Sequence, residues 1–151
     1  MSKARARSAS RLAAVQALYQ HDMEGTPQAS LLDEFHRHRL GGEVDPDLDD
    51  AQYIEAEVAF FDDVVKGVLA RRDEIDALLT AKLAAGWSLA RLDKTLLQIL
   101  RAGAYELLAR ADVPTGTAIG EYLDVAHAFF EDGEKKFVNG VLDAVAKSVR
   151  T

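Results

Sequence analysis

The chain has 151 residues, 48% hydrophobic and 28% charged, with a net charge of −7. This is the composition of a folded globular protein, too apolar for disorder, and no apolar run approaches the roughly 20 residues that span a bilayer. Cysteine is absent, which excludes disulfides and thiolate chemistry and fits a reducing, cytoplasmic setting.

Charge is placed unevenly along the chain. The first twenty residues carry Lys3, Arg5, Arg7 and Arg11 and no acidic side chain, so this end is +4 and the rest is −11. A basic arm on an acidic body reads either as a solubilising terminus or as a local site for a polyanion. It is not a secretory signal, because Gln16, Gln20, His21 and Asp22 interrupt any apolar h-region.

Helical spacing recurs throughout, and no stretch alternates for long with period two. Leu12, Val15, Tyr19 and Met23 form a stripe that predicts a first helix over about 8–23, stopped by Gly25. Thr26-Pro27 starts a second, which uses Leu31, Leu32 and Phe35 and ends at Gly41-Gly42. The acidic EVDPDLDD (43–50) reads as an exposed loop. A long pattern through Phe60, Phe61, Val64, Val65 and Val68 breaks near 71–73 and resumes through Ile75, Leu79 and Leu83.

Gly86 punctuates, and Trp87-Ser88 opens the next segment. Residues 93–109 make the most hydrophobic helix, with Gly103 at its centre. That glycine costs about 1 kcal/mol against alanine, which points to a close helix contact. After Asp112-Val113-Pro114, two further helices are predicted over about 116–130 and 135–150, with a short acidic turn between them. The expected fold is all-α, with about seven helices in two small subdomains, about 1–72 and 73–151.

Enzymatic signals are missing. The four histidines form no HExxH pattern, and there is no Gly-rich phosphate loop after a strand. Carboxylates fall where solvation explains them. No cofactor, metal or catalytic residue is expected.

The basic arm survives this filter. Arg7 and Arg11 lie at i, i+4, about 40° apart on an ideal helix, at the expected rim of the Leu12/Val15/Tyr19 stripe. Arginine suits phosphate because its planar fork donates paired hydrogen bonds. Near the other end, Phe129 and Phe137 fall at the margins of their helices' apolar stripes, with Lys136 pointing outward. Such aromatics are either core residues or stacking platforms for single-stranded bases. Gly140 faces away from the core stripe.

AVQALYQ (14–20) after an arginine-bearing start, ILRAGAYELL (99–108), DVP (112–114) and KFVNGVLDAVAK (136–147) together resemble the NusB family of transcription antitermination factors. The resemblance runs in order along essentially the whole chain. It implies a non-enzymatic, all-helical protein that pairs with the ribosomal protein NusE and binds boxA RNA of ribosomal RNA leaders. Other Nus factors and RNA polymerase would be met indirectly.

Residue by residue, the resemblance places Arg7 and Arg11 in an arginine-rich RNA-binding start. Phe129, Lys136 and Phe137 fall at RNA-side positions, and Tyr19 at a packing position nearby. Glu121 matches the acid of an Asn-Glu pair whose Asn is Gly120 here. Ser8 and Ala9 stand where further arginines occur, which implies weak RNA affinity without NusE. The NusE-facing region would include Trp87 and Arg91, although a tryptophan after glycine also reads as a plug between subdomains. Two other readings are a homodimer that buries its RNA surface, and a NusB-like accessory domain of a ribosomal RNA methyltransferase. A standalone methyltransferase is not expected, since no cofactor-binding α/β pattern is present.

Overall fold

The computed structural model describes residues 3–38, 40 and 48–150, with side chains described over 5–38, at 40 and over 57–150. Among them every regular element is helical. These are α1 (Lys3–Glu24), α2 (Gln28–His38), α3 (Leu48–Ala70), α4 (Arg72–Thr80), α5 (Lys94–Ala109), α6 (Thr115–His127) and α7 (Asp132–Val149), with a 3-10 turn at Leu89–Arg91. The all-α expectation is met. The chain forms two compact units, Met1–Lys66 and Gly67–Thr151, and the change from one to the other falls inside α3. Of the predicted acidic loop, residues 43–47 lie outside the described residues, whereas Leu48 already begins α3.

In the first unit α1 buries Ala6, Ser10, Ala13, Ala14, Val15, Ala17 and Leu18. Small side chains dominate that face and let α1 approach α3 closely. The buried Ser10 hydroxyl lies 2.8 Å from the Ala6 carbonyl and 2.7 Å from that of Glu57 on α3. The predicted stripe is therefore corrected. Val15 is buried, but Tyr19 and Met23 are 39% and 52% exposed. Phe35 of α2 stacks on Phe61 of α3, with ring centroids 5.5 Å apart. Beside them His36 Nε2 lies 2.6 Å from the Asp62 carboxylate.

In the second unit α5 packs against α4, α6 and α7. Asp93 starts it, its carboxylate accepting from the amides of Thr95 (2.8 Å) and Leu96 (3.1 Å). All residues from Leu96 to Leu107 are buried. Gly103 admits the Leu142 side chain of α7 and the Tyr122 ring of α6, as the sequence predicts. Gly67, at the end of α3, lies under the Tyr105 ring. Past Thr80 the predicted continuation through Leu83 gives way to tight turns, with Lys82 and Leu83 donating to the carbonyls of Leu79 and Thr80.

The C-terminal end of α5 is closed from outside the helix. The Arg150 guanidinium donates to the carbonyls of Glu106, Leu107, Arg110 and Val113 and to the Thr115 hydroxyl, at 2.7–3.2 Å. The Leu107 carbonyl is among those α5 leaves unpaired at its end, those of Glu106 and Arg110 also accept from the amides of Arg110 and Val113, and the helix dipole favours a cation here. Arg150→Ala is expected to lower the melting temperature by several degrees, since hydrogen bonds to charged groups contribute about 1.5–3 kcal/mol each. Arg150→Lys should rescue little, because one ammonium cannot span the fork. Full rescue in thermal melts would show that charge alone closes this end.

Candidate nucleic-acid interface

The basic arm folds as the first turns of α1, whose run of Ala, Arg, Leu and Gln favours helix. Arg5 is exposed, Arg7 is half-buried, and Arg11 is only 2% exposed. The Lys3 side chain lies outside the described residues. Both guanidinium groups sit over one ring, with Arg7 4.7 Å and Arg11 4.9 Å from the Phe60 centroid. Arg11 is thus not at the expected rim but within the buried face, among Ala14, Val15 and Leu18.

The physical reason lies in the alanines, which make the closely packed side of α1 the side that carries Arg11. A guanidinium stacked through its face keeps its N–H donors in its own plane, so ring stacking and hydrogen bonding do not compete. The outward side of α1 carries Arg5, Gln16, Tyr19 and Met23. Tyr19 is an exposed aromatic that the packing expectation missed. The only signal in the sequence was the small-residue face on the other side.

In the second unit, Phe129 lies just past the end of α6, its amide donating to the Ala126 carbonyl (3.0 Å). Its ring is 44% exposed and stands 6.4 Å from that of Phe130. The expected edge-of-stripe position becomes a turn position, because the helix stops at His127. Lys136 is exposed on the first turns of α7. Phe137 is half-buried and turns toward a groove of about 530 Å³ lined by Ala84, Trp87, Arg91, Leu92, Leu96 and Glu134.

Trp87 is 53% exposed, and the Arg91 guanidinium lies over it at 5.3 Å while donating to the Gly86 carbonyl (2.8 Å). Gly86 holds φ +86°, a conformation open to glycine and strained for other residues. Glu121 is half-buried on α6, and Gly120 beside it faces open space, as does Gly140 on α7.

The NusB family model matches residues 8–147. The chain belongs to the NusB family. It is 71% identical to the transcription antitermination protein NusB of Novosphingobium aromaticivorans over 146 residues, covering 97% of this chain and 96% of that protein. The corresponding protein of Sphingopyxis alaskensis is 61% identical over 148 residues, with 98% and 97% covered. Among solved structures, T. maritima NusB superposes with a TM-score of 0.78 at 29% identity, covering 96% of this chain and 93% of that one. A structure of the antitermination factors NusB and NusE in complex with dsRNA gives 0.78 at 24% identity, covering 95% and 98%, and shares the fold. No helix among the described residues is long and apolar enough to cross a membrane.

Burial separates the arginines. Arg11→Ala removes a buried, ring-stacked side chain and is expected to cost about 2 kcal/mol or more in stability. Arg5→Ala, at an exposed position, should leave the melting temperature within a degree or so. Equal melting curves for the two variants would return Arg11 to the surface.

Proposed function

We propose that this chain is a non-enzymatic transcription antitermination factor of the cytoplasm that pairs with NusE and binds boxA-type single-stranded RNA. Family membership and the exposed Phe129 ring, in the turn just before the lysine-bearing first turns of α7, carry this reading. RNA phosphates are held by Lys3, Arg5 and Arg7. Arg11 shares the Phe60 ring with Arg7 and adds to the local positive potential. Bases stack on Phe129, with Lys136 beside it, and Tyr19 offers a second flat surface on α1. Phe137, the residue after Lys136, lines the Trp87 groove.

The groove suits NusE. Trp87 and Arg91 form an exposed, prearranged stack beside apolar walls, with Asp93 and Glu134 lining it as well. Tryptophan and arginine are the residues that most often dominate protein interfaces. The acidic body attracts a basic ribosomal protein and disfavours non-specific RNA. Glu121 adds an acidic group on α6.

Fluorescence anisotropy of a labelled boxA RNA, with a scrambled RNA as control, tests the central claim. Binding should be selective and tighter with NusE present. Equal binding to both RNAs with no help from NusE would overturn it. Phe129→Ala should cost roughly 1–3 kcal/mol in RNA binding without lowering stability to match. Trp87 is the single tryptophan, so its emission reports on the groove directly. NusE alone is expected to shift that emission, and an unchanged spectrum on a formed complex would place NusE elsewhere.

A further inference from the structure

One half-buried carboxylate of the second unit is unanswered. Glu134 is the third residue of α7, a position from which a glutamate often bonds back to the amide that starts its helix. It makes no such bond, and among the described residues its carboxylate has no hydrogen-bond or ion-pair partner. Instead it lines the groove of about 530 Å³, whose apolar walls include Leu92, Leu96 and the rings of Trp87 and Phe137. The other two charged groups of the groove are already engaged. Asp93 accepts from the amides of Thr95 and Leu96, and Arg91 donates to the Gly86 carbonyl while its guanidinium lies over Trp87.

In the open groove water hydrates the Glu134 carboxylate. A partner that covers the groove removes that water, and a buried charge without a counter-charge is strongly disfavoured. A purely apolar segment is therefore rejected, although the leucines and rings alone would accept one. Resting on the NusE reading above, we propose that Glu134 selects the occupant of this groove by receiving one arginine side chain of NusE. A guanidinium meets both demands of the site. Its edge donates paired hydrogen bonds to the carboxylate, its face lies against a ring, and its methylenes cover the leucines. The chain itself already stacks guanidinium groups on rings in two places, at Phe60 and at Trp87. Lysine suits the site less, because its compact ammonium is more strongly hydrated and forms no planar paired contact.

The test is calorimetric titration of the full chain with NusE. Glu134→Gln keeps the shape and removes the charge, and it is expected to weaken binding about tenfold or more, since the arginine is then buried unpaired. Asp132→Asn, two residues earlier and 93% exposed, controls for charge alone and should change affinity less than about threefold. Replacing the arginines of NusE one at a time by alanine identifies the partner. One replacement should weaken binding to the wild-type chain and cost nothing further against Glu134→Gln, as a direct pair does in a double-mutant cycle. Thermal melts should show both variants of this chain folded. Wild-type affinity for Glu134→Gln, an equal loss for Asp132→Asn, or no NusE arginine coupled to Glu134 overturns the proposal and leaves the pairing with NusE intact. No binding of NusE by the wild-type chain overturns both.

Discussion

Sealing α5 on every side constrains the second unit more than any other feature. From Leu96 to Leu107 every residue is buried, yet Gln98, Arg101 and Glu106 are among them, and an unpaired polar group there would cost about 1–3 kcal/mol or more. Each is answered. Arg101 makes a paired contact with Asp76 of α4 at 2.8 and 2.9 Å, Gln98 accepts from Arg101, and Glu106 takes the hydroxyl of Tyr122 on α6. Among the described residues no buried side-chain nitrogen or oxygen lacks a partner. These bonds lock α4 and α6 to α5, while Asp93 and Arg150 close its ends. With α5 as a fixed wall, α6 and α7 are free to direct their outward faces and their connecting turn to other work.

That division explains what the sequence made legible. Helices could be placed because their apolar residues recur at 3.6 and their ends carry recognisable stops, such as Gly25, Asp93 and Pro114. Leu83 misled because its spacing continues the α4 pattern, although the backbone has already turned; only half-buried, it exerts little pull to keep the helix going. Phe129 and Phe130 misled for the opposite reason. They extend the α6 pattern, while the helix ends at His127 and leaves one ring outside.

The candidate site divides along the same line. The exposure of Phe129 and Lys136 was readable even though the end of α6 was not, since both fall away from the centre of their helices' apolar stripes. The role of Arg11 was not. A stripe drawn from the largest apolar residues of α1 puts Tyr19 and Met23 inside, because alanine counts for little on any hydrophobicity scale. Close approach of α3 rewards small side chains instead, and the larger residues turn outward.

Charge and stacking then carry different parts of the recognition problem. At physiological salt the Debye length is about 8 Å, so the −11 of the body does not cancel the field of cations farther away than that. Local clusters decide, and the overall acidity acts mainly against weak, non-specific contact. Phosphate contacts release counterions and weaken as salt rises, whereas base stacking on an exposed aromatic, the part proposed for Phe129, transfers a flat apolar surface and responds less to salt. A protein with few exposed cations and a prearranged aromatic therefore gains selectivity for single strands, whose bases can leave the stack. A duplex offers the same phosphates but keeps its bases paired, so it gains only the salt-sensitive part.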